Sequence, residues 1–151
     1  MIQRRDALKQ ATLLGGLLAS TSLFPQFAWA FNKNAFDAKT INDAVAAFGG
    51  SVLVASKDVT LTAPDIAENG AVVPLGLATT LPNVKHLLIL VEKNPSALVA
   101  MFNVSDAVEA NFATRAKMGQ SSDVYAVAIT NDGKAFFTKK EVKVTLGGCG
   151  G

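Results

Sequence analysis

The apolar and polar positions after residue 50 follow the two-residue period of β-strands. Val59–Thr62 alternates strictly, whereas Val84–Val91 is a nearly continuous apolar run. Short segments of this kind, separated by turn signals about every ten residues, are typical of an all-β sandwich or a small barrel. The remaining predicted strands are Ala71–Thr79, Ala97–Val104, Asn111–Lys117, Val124–Thr130, Ala135–Phe137 and Glu141–Leu146.

Three local signals refine this strand assignment. The stretches Asn69–Gly70 and Asn131–Gly133 are typical of tight turns between strands. Pro74 lacks a backbone N–H, so we expect its strand at a sheet edge or at a bulge. Because Val84–Val91 is apolar on both of its sides, it is either a central strand or a face covered by another subunit.

One segment before the strands has helical spacing. Its apolar residues recur at intervals that place them on one helix face, and they are Phe36, Ile41, Val45 and Phe48. Two glycines follow, and a glycine just past the last periodic residue is a common helix stop. The pattern therefore predicts one short amphipathic helix over Ala35–Phe48 that ends at Gly49–Gly50.

Residues 1–30 have the organisation of an export signal. Arg4, Arg5 and Lys9 form a basic start, the apolar stretch Ala11–Leu23 follows, and Ala28–Ala30 has the small-x-small pattern of a cleavage site. The apolar stretch is too short for a membrane span. The paired arginines favour the bacterial twin-arginine (Tat) route over the ordinary secretory route.

The charge of the chain changes once this segment is removed. It contains three of the fourteen basic residues and one of the twelve acidic residues, which leaves eleven of each from Phe31 onwards. A neutral domain has no general attraction for nucleic acid or for an anionic membrane. The mature part, about 120 residues long, suits one domain with its own hydrophobic core.

The C-terminal end carries the most specific chemistry. Cys149 is the only cysteine of the chain, and Gly147, Gly148, Gly150 and Gly151 surround it. Glycine has the least restricted backbone of all residues, so this composition predicts a flexible arm with a reach of at most about 17 Å. An unpaired thiol in an exported protein indicates a reactive group or an intermolecular disulfide, and a buried inert cysteine is the third interpretation.

Other chemistry-bearing residues are isolated in the sequence. His86, the only histidine, lies inside an apolar run, where a structural role is the more common one; one histidine and one cysteine far apart also give no metal site. Arg115–Lys117 is either a solvated strand face or a docking surface for an acidic partner. The carboxylates form no catalytic pair in sequence, and they are Asp65, Glu68, Glu92, Asp106 and Glu109.

Several of these segments resemble one family. The terminal stretch Val142–Gly151, together with Pro64–Gly70, Glu92–Pro95, Asn131–Lys134 and the twin-arginine-like start, is similar to SoxY, the sulfur-carrier subunit of SoxYZ complexes. The resemblance covers essentially the whole mature chain. It implies a division into a signal peptide over 1–30, an immunoglobulin-like antiparallel β-sandwich over 31–146 and a sulfur-carrying arm over 147–151.

The resemblance also implies a function and a set of partners. Cys149 would bind thiosulfate-derived sulfur covalently, and the protein would be a periplasmic carrier that other enzymes act on, without a cofactor or metal of its own. A SoxZ-like β-sandwich subunit would form a heterodimer with it and travel with it during export. The implied enzymes are a haem-containing enzyme that conjugates thiosulfate, a hydrolase that releases sulfate and, in some organisms, a sulfane dehydrogenase.

Two other functions fit parts of the same pattern. The terminal Gly150–Gly151 is shared with ubiquitin-like sulfur carriers, whose diglycine end becomes a thiocarboxylate in an ATP-dependent cytosolic reaction. An exported structural β-sandwich that dimerises through Cys149 is the second alternative. The export signal argues against the first alternative, and the state of the thiol in the isolated protein distinguishes the second from a carrier.

Overall fold

The computed structural model describes residues 32–146. Two short helices precede nine strands in this part of the chain. The helices are α1 (Lys33–Asp37) and α2 (Ile41–Ala47). The strands are β1 (Leu53–Ala55), β2 (Val59–Thr62), β3 (Ile66–Asn69), β4 (Val73–Thr79), β5 (Val84–Val91), β6 (Leu98–Asn103), β7 (Asn111–Ala116), β8 (Ser122–Thr130) and β9 (Ala135–Leu146).

The strands form two sheets. The larger sheet has the order β1-β9-β8-β5-β6, and β3 also pairs with β9; the smaller sheet has the order β2-β4-β7. All neighbours are antiparallel except β1 and β3, which both run parallel to β9. The predicted all-β, immunoglobulin-like antiparallel sandwich is therefore confirmed.

The main core lies between the two sheets. Leu87, Ile89 and Val91 of β5 belong to the same buried cluster as Leu75 and Leu77 of the smaller sheet. Alternate residues of a strand point to opposite faces, so this cluster contains the side chains on one face of β5.

A second core covers the other face of β5. Leu88 and Leu90 are fully buried in a cluster with Ala44 and Val45 of α2. The run Val84–Val91 is thus a central strand, and this chain itself covers both of its faces. Its apolar character gives no indication of a second subunit.

The prediction of one helix over Ala35–Phe48 is wrong, because the segment forms two helices. The chain is extended at Thr40, whose hydroxyl accepts the N–H of Asp43 over 3.1 Å and caps α2. The carbonyl of Ala38 accepts the N–H of Ala97 over 3.1 Å instead of continuing a helix. A strong N-cap residue and a contact distant in sequence therefore interrupt the helix.

The predicted helix end is confirmed. Gly49 has a φ of 76°, in the left-handed region that favours glycine. The N–H groups of Gly49 and Gly50 donate to the carbonyls of Ala46 and Val45, the bond pattern of a Schellman C-cap.

Pro74 lies inside β4, opposite Arg115 of β7. The pairing of β4 with β2 ends at Gly76, so β4 has a paired neighbour on one side only at the proline. The missing N–H therefore interrupts no ladder, in agreement with the expected edge position.

The predicted strands Ala135–Phe137 and Glu141–Leu146 are one continuous strand, β9. The turn before it contains Gly133 with a φ of 81°, as the sequence predicts for Asn131–Gly133. β9 spans roughly 36 Å from this turn to Leu146. It therefore connects one end of the sandwich with the point where the C-terminal arm begins.

Candidate functional site at the base of the C-terminal arm

The predicted site residues Cys149, Gly147, Gly148, Gly150 and Gly151 lie outside the described residues. The description ends at Leu146, the last residue of β9. The structure therefore defines the base of the arm and the surface around it.

The segment around β3 is hydrogen-bonded to one edge of β9 along its last residues. The N–H of Gly70 donates to the carbonyl of Leu146 over 2.8 Å, and the N–H of Lys143 donates to the carbonyl of Asp65 over 3.0 Å. The hydroxyl of Thr145 donates to the carbonyl of Glu68 over 3.0 Å. This edge of β9 is thus bonded up to its final residue.

The connection between β7 and β8 holds the base from a second direction. The N–H of Val144 donates to the hydroxyl oxygen of Ser121 over 2.9 Å. The N–H of the fully buried Met118 donates to the carbonyl of Gly70 over 2.7 Å. Bonds from two directions therefore fix the position of the last described residues of β9.

Charged pairs lie on β9 before the base. Lys140 is 2.9 Å from the Asp65 carboxylate, and its hydrogen bond and positive charge hold the pKa of Asp65 below its ordinary value. Lys139 is 2.7 Å from Asp123, and this hydrogen bond raises the pKa of Lys139. These exposed pairs connect β9 with neighbouring segments, and each contributes little to stability.

Apolar side chains are exposed immediately around the base. Leu146 is 71 % exposed, Ile66 at the start of β3 is 58 % exposed, and Val72 after the β3 turn is 54 % exposed. The sequence suggested that Val142, Val144 and Leu146 share one strand face. Burial decreases along that face, because Val142 is fully buried, Val144 is half-buried and Leu146 is open to solvent.

A surface cavity of about 530 Å³ lies at the opposite end of β9. Its lining includes Pro82, Asn83, Asp132 and Lys134, all near the turn at which β9 begins. The length of β9 separates this cavity from Leu146. The cavity is therefore not part of the surface around the arm.

His86 also lies toward that distant end, near the start of β5. Its Nδ1 is 2.9 Å from Oδ1 of Asn103, and its ring centroid is 5.4 Å from that of Phe48. Partial burial lowers the pKa of His86. These contacts agree with a structural role, and within residues 32–146 no three His, Cys, Asp or Glu side chains are grouped to hold a metal ion.

The structure does not bring the other sequence candidates into one site. Asp65 lies just before β3 and Glu68 lies within it, both beside the arm base, whereas Asp106 and Glu109 lie in the β6–β7 connection. Arg115 is exposed on β7, on an edge of the smaller sheet. Neither helix in the described range is long and apolar enough to cross a bilayer.

The sequence motifs did not point to Ile66, Val72 or Leu146 as site residues. Each looks like an ordinary apolar residue of a β-rich sequence. The pairing of β3 with β9 brings Ile66 and Leu146 to the same strand end, and it depends on residues far apart in the chain. The position of Leu146 next to Gly147 was the one local signal.

Comparison with known proteins identifies the family. The family model described as sulfur oxidation protein SoxY matches residues 44–149, a range that ends at Cys149. The structure of the sulfur carrier protein SoxY from Chlorobium limicola f thiosulfatophilum is 34% identical, with a TM-score of 0.63, and the alignment covers 71% of this chain and 97% of that chain. No curated protein matches the sequence significantly.

A more distant likeness concerns the fold alone. A variant of the superoxide reductase (neelaredoxin) from Ignicoccus hospitalis is 16% identical, with a TM-score of 0.51 over 57% of this chain and 78% of that chain. At that identity no shared chemistry follows. The match of a family model that covers most of the chain, together with a relative one-third identical over most of both lengths, shows that this chain belongs to the SoxY family of sulfur oxidation proteins.

Proposed function

We propose that this protein is an exported sulfur carrier that binds thiosulfate-derived sulfur covalently on Cys149 and presents it to partner enzymes. The observation that carries the proposal is the position of the thiol. Cys149 is the only cysteine, it lies within the family match, and it follows a strand end that is bonded from two directions. A thiol three residues beyond a firmly bonded strand end is suited to act as a tethered attachment point on the sandwich.

The chemistry requires an oxidant for the first step. The Cys149 thiol and thiosulfate form a sulfur–sulfur bond, and the two electrons released pass to a haem-containing enzyme while one proton leaves. The product is a cysteine S-thiosulfonate. Water then cleaves the terminal sulfur–sulfur bond in a hydrolase, which releases the sulfonate group as sulfate and leaves a persulfide on Cys149.

The persulfide has two fates. In an organism that has a sulfane dehydrogenase, that enzyme removes six electrons from the outer sulfur, water supplies three oxygen atoms, and a second hydrolysis releases sulfate and regenerates the thiol. Without that enzyme the sulfane sulfur leaves by another route. In neither case does this chain supply a redox group, so we propose that it is not itself an enzyme.

Covalent attachment gives the carrier its advantage. A tethered intermediate cannot diffuse away, and it meets each enzyme at a high effective concentration. Glycines next to the thiol let the arm enter a narrow channel, because they add no side chains. No basic residue adjoins Cys149 in the sequence, so activation of the thiol is left to the cavity that receives it.

Localisation and assembly belong to the same proposal. The organisation of residues 1–30 supports export to the periplasm, and the paired arginines support the twin-arginine route. A SoxZ-like β-sandwich subunit is the proposed heterodimer partner. The support for this subunit is the family membership, since the chain itself covers both faces of β5.

The test is intact mass spectrometry of the mature protein after incubation with thiosulfate and the oxidising haem enzyme. We expect an adduct with the mass of a thiosulfonate that peptide mapping confines to Cys149. The Cys149→Ser variant is the matched control; it should keep the fold and partner association and acquire no adduct. An unmodified Cys149 in a mixture that oxidises thiosulfate would refute the carrier function.

A further inference from the structure

Large apolar side chains that are exposed concentrate on one edge of β9. Within residues 32–146, five such side chains are more than half exposed: Val52, Val54, Ile66, Val72 and Leu146. The last three lie beside the base of the arm, and we call them the collar. They come from the start of β3, the turn after β3 and the end of β9.

Strand pairing brings the collar residues together. Leu146 pairs with Asn69, and the N–H of Val72 donates to the carbonyl of that same Asn69 over 3.4 Å. Ile66 is three residues before Asn69 on β3, a distance of about 10 Å. Because Ile66 pairs with Lys143, it lies on the opposite face of the β3–β9 pair from Leu146. The collar therefore lies at the β3 edge of the strand end, with Leu146 on one face of the β3–β9 pair and Ile66 on the other.

The length of the arm determines what must approach this surface. Cys149 is three residues beyond Leu146. Even fully extended, the chain holds the two Cα atoms within about 10 Å of each other. An active site that reacts with sulfur on Cys149 must therefore bring the rim of its cavity to the collar.

We propose that the collar is the docking surface for the apolar rim of the cavity that receives the arm, on each enzyme that acts on Cys149. This proposal rests on the proposed carrier function. A second copy or a permanent subunit seated on the collar would obstruct access to the arm, so the occupant is the enzyme itself and its contact is transient.

The composition of the collar fits such an occupant. Single exposed apolar residues are common on protein surfaces, but three beside the one point another protein must approach form an apolar contact site. Burial of apolar side chains does not depend on the charge of the sulfur group carried. One collar can therefore serve several enzymes, while the attached group determines which of them reacts.

Binding of the purified thiosulfate-conjugating haem enzyme tests the collar directly. Ile66→Asp, Val72→Asp and Leu146→Asp would be made in a Cys149→Ser background, so that no covalent chemistry contributes. The matched controls are Val52→Asp and Val54→Asp. Val54 pairs with Phe136, ten residues before Leu146 on β9 and roughly 33 Å away.

We expect each collar substitution to weaken binding about tenfold or more in biolayer interferometry, because a charge would face an apolar rim. The controls should remain within about twofold of the parent. Circular dichroism and thermal unfolding verify the fold of each variant. Ile66→Thr, which keeps a β-branched side chain, replaces Ile66→Asp if that variant does not fold.

Two results would refute the proposal that the collar is a docking surface: unchanged binding of the haem enzyme by the collar variants, or an equal loss of binding by the control variants. A change in self-association without a change in enzyme binding would also overturn it, because a second copy would then cover this surface. Adduct formation on wild-type Cys149 is measured separately. If no adduct forms, the carrier function is refuted, whereas the binding measurements still test whether the collar is a docking surface.

Discussion

The backbone N–H of Gly70 donates to the carbonyl of Leu146 over 2.8 Å. This bond joins the turn after β3 to the residue from which the arm departs, although the two residues are far apart in the sequence. The carbonyl of Gly70 in turn accepts the N–H of the buried Met118. One turn residue therefore links the end of β9 to the core.

Ser121→Ala should loosen the arm base without unfolding the domain. The substitution removes the hydroxyl that accepts the N–H of Val144, and the loss of one such bond costs about 1 kcal/mol. Amide hydrogen exchange should accelerate at Val144, and urea unfolding should show the small loss of stability. Ser105→Ala is the control, because Ser105 is exposed and its hydroxyl makes no hydrogen bond within residues 32–146. Equal exchange at Val144 in the two variants would contradict this assignment.

Leu88→Ala and Ile89→Ala test whether both faces of β5 are internal. The two side chains are fully buried in different clusters, so each truncation should cost about 2–5 kcal/mol in the free energy of unfolding of the isolated chain. Chemical denaturation measures both values. Val54→Ala, at an exposed position, should change stability by less than about 0.5 kcal/mol. A negligible cost at Leu88 would mean that helix α2 does not cover that face.

The pH dependence of stability should include a contribution from His86. Burial lowers its pKa in the folded state below the ordinary value of 6.5, so the unfolded chain takes up the proton first as the pH falls. Stability should therefore decrease from about pH 6.5 down to the folded-state pKa and be independent of this group below it.

His86 is the only histidine, so its NMR titration is unambiguous. The variant His86→Gln should lack this part of the pH dependence. Asn103→Ala should lower the pKa of His86 further, because the hydrogen bond that Oδ1 of Asn103 accepts from the imidazole raises that pKa. A titration midpoint above 6.5 in the folded protein would contradict the burial that the structure shows.

Deletion of Gly150–Gly151 separates the carrier from a ubiquitin-like alternative. The thiol remains, so loading by the haem enzyme should be reduced but measurable by intact mass spectrometry. A carrier that works through a terminal thiocarboxylate would lose all loading. Replacement of both residues by alanine keeps the length of the arm and serves as the control.

Local patterns predicted most of the sandwich. Strict alternation identified Val59–Thr62, and the glycines at 49–50 and 133 identified a helix end and a turn, because each requirement is local. The strands β1 and β3 were missed, since neither Leu53–Ala55 nor Ile66–Asn69 alternates apolar and polar residues. Both strands exist because β9 offers them a parallel edge, which is a long-range relationship.

The candidate site also has a part that the sequence predicts and a part that it does not. Cys149 and its glycines are recognisable from residue types alone, as is the family resemblance. The collar depends on the pairing of Asn69 with Leu146, and exposure of an apolar side chain cannot be read from its identity. The separation of the predicted helix into two had one local signal, the strong N-cap residue Thr40. The hydrogen bond from Ala97 to Ala38 had no signal in the local sequence.

The pairing of β9 with β8 on one side and with β3 on the other has a mechanical consequence. In the proposed function, an enzyme that separates from the carrier while it still binds the arm pulls on Leu146 along the axis of β9. The interstrand bonds lie across that axis, so such a force loads many of them together in shear instead of opening them one at a time. The strand that anchors the thiol is therefore well suited to resist repeated traction.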